Sequence, residues 1–291
     1  MRILLTGATG FVGRHLVGDL AARHDVVCLV RAPSADVTPA GTNRIVADLT
    51  DPALARRLPS AVDVVVHLAQ AYRPFPDDAA ELFAVNAGST VALAEYGRRA
   101  GVRRVVLASS GSVYRPAREA LRESAPTVPT AFHPTTKLMA EMALRHYEQY
   151  FGVATLRLFC PYGPGQVDRL VPRMIESVRG GRPVTLSRGG EPRINPIYVS
   201  DLVRVLAAAV EDMRSYTVNV AGPEALSIRD LAEIIGRHLD RAPTFVERDG
   251  EVAGDLVADT RLMEELFAVG PMMRPVDGLA LTLGVGVPQA S

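Results

Sequence analysis

The stretch "LLTGATGFVGRHL" constrains this chain more than any other. It sets Gly7, Gly10 and Gly13 at GxxGxxG spacing between an apolar run that reads as a strand and an amphipathic run that reads as a helix. In that context Gly7 permits a tight turn, Gly10 lets backbone approach a ligand, and Gly13 lets the helix pack closely against the strand. A helix starting there points free N–H groups and the positive end of its dipole at whatever lies over the loop, which suits a pyrophosphate. Gly7, Thr9, Gly10, Phe11 and Val12 are therefore expected to cradle a dinucleotide.

The rest of the chain fits this start. Nearly continuous valine- and leucine-rich runs lie at 3–5, 26–30, 44–47, 62–68, 105–108 and 154–159. Helical patterns near 11–23, 51–58, 79–100 and 134–151 alternate with them, which predicts an α/β, Rossmann-type, doubly wound parallel sheet. After residue 160 the pattern loosens, with helices expected at 168–180, 199–212, 227–239 and 260–267. Short strands are expected near 183–186, 194–198, 216–220 and 244–247. We read residues 1–160 as a dinucleotide-binding domain and 161–291 as a smaller C-terminal substrate-binding lobe interleaved with its end. Segments 70–78 and 111–132 follow strand ends, where ligand loops sit in such sheets.

Composition excludes other classes. Lysine plus arginine and aspartate plus glutamate both number 32, so no basic footprint for nucleic acid or a membrane surface is expected. No apolar run reaches membrane-spanning length, and the N-terminus lacks a signal-peptide pattern, so a cytoplasmic protein is expected. Two cysteines make no disulfide framework, and no His/Cys/carboxylate spacing suggests a metal. Arginine outnumbers lysine 31 to one, and the single lysine is Lys137. A lone lysine in so arginine-rich a chain marks a position where arginine does not serve.

Cofactor choice is read at the second strand's end. A carboxylate there would favour NAD. Arg31 stands there instead, and a guanidinium pairs bidentately with a 2′-phosphate, so NADP(H) is expected, with NAD(H) also admitted and Arg14 as a helper. Asp48 is placed to accept from an adenine amino group, with Leu49 on the ring. Leu68, Ala69 and Gln70 end the fourth strand, where backbone can lie along the cofactor. His67 reads as a satisfied strand-end histidine.

The motifs "TGATGFVG", "ADL", "HLA", "VNAGST", "LASSGSVY", "TTKLMAE", "LRLFCPYGPGQ", "INPIYVSD" and "VNVAGPEALSIRDLAE" occur in order over nearly the whole chain. In them the chain resembles the extended short-chain dehydrogenase/reductases, a group holding nucleotide-sugar epimerases, dehydratases and ketoreductases. The resemblance implies that Ser110 is the catalytic serine and that Lys137 is the lysine holding the nicotinamide ribose and lowering a tyrosine pKa. It also implies that Pro161 meets the nicotinamide amide and that Asn86 belongs to the long fourth helix. Cys160 replaces a common asparagine. The largest departure is His133, where the family carries its acid/base tyrosine.

Three readings of His133 follow. It replaces the tyrosine as acid, with an ordinary pKa near 6.5 that suits neutral pH, although Pro134 biases it away from helical angles. Or hydride transfer proceeds without a protein acid, with Ser110 or Thr136 bonding the carbonyl and a substrate phenol or water giving the proton. Or the protein binds cofactor without chemistry, as a regulator. We favour the second, with an aromatic ketone as the small-molecule partner, since the chain resembles arginine-rich antibiotic-pathway ketoreductases of the simocyclinone type. A nucleotide-sugar epimerase or dehydratase, for which Arg193 could grip a diphosphate, is the alternative. Tyr72, Phe75, Tyr114, Phe132 and Met139 are pocket candidates, and the region 162–195 is expected to help frame the pocket. The apolar stripes on 79–100 and 134–151 fit a monomer or a homodimer.

Overall fold

The computed structural model describes residues 1–32, 41–187, 192–248, 254–268 and 270–285. In chain order, β1 (Arg2–Thr6) leads through the glycine loop to α1 (Phe11–Ala21), followed by β2 (Asp25–Val30), β3 (Asn43–Val46) and β4 (Val64–His67). A continuous helical stretch comes next: α2 (Ala79–Phe83), a wider π-type turn over Ala84–Gly88, and α3 (Ser89–Ala100). It stops at Gly101, whose φ of 71° is left-handed. Then come β5 (Arg104–Ser110), α4 (Phe132–Arg145), β6 (Gly152–Leu158), α5 (Leu170–Gly180), β7 (Val184–Ser187), β8 (Arg193–Ile194) and α6 (Val199–Glu211). The chain ends with β9 (Tyr216–Val220), β10 (Leu226–Ser227), α7 (Ile228–His238), β11 (Phe245–Arg248), α8 (Arg261–Leu266) and α9 (Pro275–Leu283).

Among the described residues the main sheet has seven strands in the order β3-β2-β1-β4-β5-β6-β9. The pairs β3–β2, β2–β1, β1–β4 and β4–β5 are parallel, with Thr6 opposite His67. This is the doubly wound Rossmann-type architecture. The strand order reverses between β1 and β4, so their C-terminal ends form the crevice where such sheets bind ligands. Strands β1, β2, β4, β5 and β6 are buried along most of their length, which explains their unbroken apolar runs, while β3 at the sheet's edge is partly exposed.

The chain divides into two compact units. The first holds residues 1–113, 127–157 and 203–218; the second holds 114–126, 158–202 and 219–291. The chain thus crosses between them at 113/114, 126/127, 157/158, 202/203 and 218/219, and the boundary read at 160 lies beside one of these crossings. The first unit's core joins Leu4, Val27, Val65, Val105 and Leu107 of the sheet to Leu93 of α3 and Ala140 and Leu144 of α4. In the same unit Arg104 is fully buried at the start of β5. Its guanidinium donates to Ala209 O at 3.0 Å, to Arg214 O and to the Tyr216 hydroxyl at 2.7 Å. The second unit's core gathers Val171, Met174 and Val178 of α5, Leu231 and Ile235 of α7, and Leu279 of α9.

The sequence pattern needs correction in four places. The helix expected at 51–58 is one 3₁₀ turn, Leu54–Arg56, because Pro52 and a short span leave no room for an α-helical nucleus. The strand expected at 194–198 shrinks to Arg193–Ile194. Helix α9 carries no strong periodic signal and was not expected; Pro275 opens it, at a position needing no N–H partner. His133 is helical, as the second residue of α4, despite Pro134. Proline in a first turn gives up an N–H that has no helical acceptor anyway, and Thr135 N–H bonds Ala131 O across that turn.

Candidate active site

The glycine loop is a cradle that side chains would fill. Gly7 has a φ of 76°, and a Cβ on it would lie 2.7 Å from Ala69 N. A Cβ on Gly13 would sit 2.0 Å from Gly7 O. Gly13 is thus needed for packing against the loop's own backbone, at Gly7 and Ala8, rather than against the strand. Gly10 is the N-cap of α1, its N–H donates to Gly7 O, and the first turn of α1 carries no acidic side chain. Thr9, Phe11 and Val12 are half-buried around this turn, and Leu68 and Ala69 are half-buried at the facing end of β4. A dinucleotide pyrophosphate fits such a cradle.

Arg31 is exposed just past β2, and its charge acts on Asp48. Asp48 is exposed, and the hydroxyl and N–H of Thr50 both donate to its Oδ1, at 2.6 and 2.8 Å. These bonds hold its carboxyl below the ordinary range, with Arg31 adding to them. Leu49 is half-buried and packs on the first core.

His67 is buried at the end of β4, and its bonds assign its tautomer. The Ser89 hydroxyl donates to Val85 O at 2.5 Å, so at 3.1 Å it can only accept from His67 Nε2–H. Thr6 Oγ1 then donates to His67 Nδ1 at 2.7 Å and accepts from Ala69 N–H at 3.3 Å. The neutral imidazole therefore ties the loop's first strand to β4 and to α3. Burial, then the charge of Lys137, push its pKa down to about 3 from an ordinary 6.5. Between those values the unfolded chain holds a proton that the folded chain refuses. This share of stability is whole above 6.5 and declines as pH falls toward 3, by about 1.4 kcal/mol per unit. Urea unfolding over this range should show a shallower decline for His67→Gln than for wild type; parallel curves would refute the assignment.

Asn86, buried in the π-type turn, organises the next layer. Its Oδ1 accepts from Ala71 N–H at 2.8 Å, and its Nδ2 donates to Ala71 O at 3.1 Å and to Thr136 Oγ1 at 2.9 Å. This clamps the segment after β4 onto the first turn of α4. Thr136 in turn donates its hydroxyl to His133 O at 2.7 Å, and it is fully buried. Its one proton is committed, so the expected carbonyl contact from Thr136 is corrected to a structural role.

Ser110 ends β5 half-buried, and its Oγ accepts from Ser112 N–H at 3.1 Å, which leaves its own O–H to donate. Lys137 is 1% exposed. Burial pushes its pKa down to about 8, against the opposing pull of Glu141 one turn along α4. Glu141 is fixed by Arg157 and by the hydroxyl of Ser109. Sequence reasoning missed this pair; the i, i+4 spacing of Lys137 and Glu141 was its available signal. His133 is half-buried, its Nε2–H directed to Gln70 Oε1 at 3.3 Å, and Tyr72 meets its ring edge-on.

In the second unit, Pro161 O accepts from Gln166 Nε2 at 2.7 Å. Cys160 holds a φ of 42°, a left-handed angle that asparagine tolerates better than cysteine. Arg193 donates to Ala225 O at 3.0 Å. Tyr114 is corrected from pocket to core: it is buried, bonded to Asn219 Oδ1 at 2.8 Å and near Phe159. Met139 is exposed on α4. Of the region expected at 162–195, residues 188–191 lie outside the described residues. No helix among the described residues is long and apolar enough to cross a membrane.

Sheet order, switch point and glycine cradle define a dinucleotide-binding protein of the Rossmann type. The pattern of the NAD dependent epimerase/dehydratase family matches residues 3–221, and the chain belongs to that family. It is 28% identical to an uncharacterized UDP-glucose epimerase, YtcB, of Bacillus subtilis (strain 168), over 96% of each chain. It is 34% identical to the 3-diazoavenalumate denitrifying reductase of a Streptomyces species, over 77% of each chain. Among solved structures it is similar to MoeE5 in complex with UDP-glucuronic acid and NAD, at 30% identity, a TM-score of 0.86 and 98% coverage of both chains.

Proposed function

We propose that this chain is an NADPH-dependent reductase that delivers hydride to an aromatic acceptor needing no proton from the protein. The observation that carries the proposal is the first turn of α4. His133 stands at the tyrosine's place and directs its Nε2–H at Gln70, while Lys137 stays buried behind it. A nicotinamide dinucleotide, when bound, supplies the hydride. In this reading the glycine loop and the N-terminus of α1 hold the pyrophosphate, and Lys137, charged below about pH 8, holds the nicotinamide ribose. Ser110 donates its O–H to the oxygen of a ketone acceptor.

Two aromatic acceptors dispense with a protein acid. An ortho-hydroxyaryl ketone carries its own phenolic proton donor. An aryl diazonium needs none: one C–H bond forms, the C–N bond breaks and dinitrogen leaves. The 34% relative is named as a denitrifying reductase of a diazo compound, which supports one-way reduction on this scaffold.

A nucleotide-sugar epimerase or dehydratase is the second reading, and the relatives favour it over an aromatic ketone more broadly. The family pattern, YtcB and MoeE5 all point toward nucleotide sugars. Such chemistry moves a proton on and off a sugar hydroxyl, and a histidine turned to Gln70 is poorly placed for that. The test follows loss of reduced nicotinamide absorbance with ortho-hydroxyaryl ketones, an aryl diazonium, UDP-glucose and UDP-glucuronic acid. Net consumption with an aromatic acceptor is expected, with turnover at saturating acceptor kept within a few-fold in His133→Ala. Interconversion of a nucleotide sugar without net consumption would reject the proposal.

NADP(H) remains the proposed cofactor on the strength of Arg31, although the similar solved structures were obtained with NAD. Arg31→Ala should weaken NADPH binding about tenfold or more, as loss of a charged bidentate pair does, and leave NADH binding near wild type by calorimetry. Equal losses would return the preference to NAD.

A further inference from the structure

The segment after β4 sets two large aromatic side chains in water: Tyr72 is 59% exposed and Phe75 is 62% exposed. Both are held in fixed ring contacts. Phe75 stacks on Phe132 with centroids 5.0 Å apart and planes at 30°, and Tyr72 meets His133 edge to face at 5.0 Å and 67°. Phe132 and His133 are the first two residues of α4, and Asn86 fastens the preceding Ala71 to Thr136 in the same turn. Two ring pairs, each joining one ring of the segment to one ring of the helix, thus stand on a clamped framework, and the same helix carries Lys137 one turn further on. Gln70 is the polar group fixed beside them, through His133.

These ring pairs offer π faces and ring edges. A sugar needs a partner for each hydroxyl, whereas a planar ring is satisfied by offset stacking and edge contacts. Exposed aromatic surface beside a reactive position marks a place where a ligand is received. We propose that Tyr72, Phe75, Phe132 and His133 form the subsite that seats the planar ring of the acceptor, with Tyr72 and Phe75 as its specificity-determining residues. The assignment rests on the reductase reading above and gives that reading its substrate surface.

The test is calorimetric titration of 1-hydroxyanthraquinone into the full chain preloaded with NADP⁺, so that no turnover occurs, with UDP-glucose in parallel. Tyr72→Ala and Phe75→Ala should each weaken quinone binding about tenfold, while Tyr72→Phe and Phe75→Tyr keep it within about twofold and NADP⁺ affinity stays unchanged. Quinone affinity unchanged in both alanine variants, UDP-glucose affinity lost in its place, or no quinone binding by wild type would each overturn the subsite. Quinone binding lost in the alanine variants, with no aromatic acceptor turned over by wild type, would uphold the subsite and defeat the reductase reading. Turnover of aromatic acceptors with unaltered binding in the variants would do the reverse.

Discussion

Lys137→Met is expected to yield a protein that is more stable than wild type and nearly inactive. Burial holds the lysine's pKa at about 8 against an ordinary 10.5, so carrying its charge at neutral pH costs the fold on the order of 3 kcal/mol. Methionine fills similar volume without that charge. The sign can be checked by pH. Below about 8 the lysine is charged in both folded and unfolded chains, and the cost is constant. From 8 to 10.5 the unfolded chain keeps the proton that the folded chain gives up, so wild type gains stability and the two unfolding curves converge. Turnover should fall about a hundredfold or more, the scale of losing the charge that positions the nicotinamide ribose. A variant less stable than wild type at pH 7 would contradict the buried-charge account.

Arg157→Met should have the opposite effect. Arg157 and Glu141 have side chains only 5% exposed, and Arg157 Nη2 lies 2.7 Å from Glu141 Oε2 while its Nε reaches both carboxylate oxygens. Removing the arginine leaves a buried carboxylate with Ser109 as its remaining donor among these contacts, a loss of about 3–5 kcal/mol. Pairing the change with Glu141→Leu should recover most of that, which a double-mutant cycle in urea would read. The single variant should also shift any activity limb due to Lys137 to higher pH, because Glu141 would then act on the lysine without its counterion. Additive losses in the cycle would mean the two side chains act independently.

The frame of the fold was readable because strand runs buried on both faces and the glycine loop obey strict local rules. Gly7 and Gly13 cannot carry a side chain for reasons of distance alone, and their spacing announces it. Lys137 was legible through its rarity. What stayed hidden depends on long-range pairing. Nothing near Thr136 tells that Asn86 will take its oxygen, nothing near Tyr114 tells that Asn219 will bury its hydroxyl, and Arg157 carries no local mark of Glu141. His133 was misjudged for another reason. The local bias imposed by Pro134 is real, and the helix overrides it through bonds made by Thr135 and Thr136.

The interleaved chain path bears on how the protein is made. The acceptors of Arg104 lie at Ala209, Arg214 and Tyr216, and β9 supplies an edge of the main sheet. A nascent chain leaving the ribosome therefore presents β1 to β6 with a guanidinium awaiting its partners until residue 216 has emerged. A fragment ending at residue 160 would remain in that unfinished state, so a biotechnologist wishing to transplant the nucleotide-binding half would need to graft 203–218 along with it.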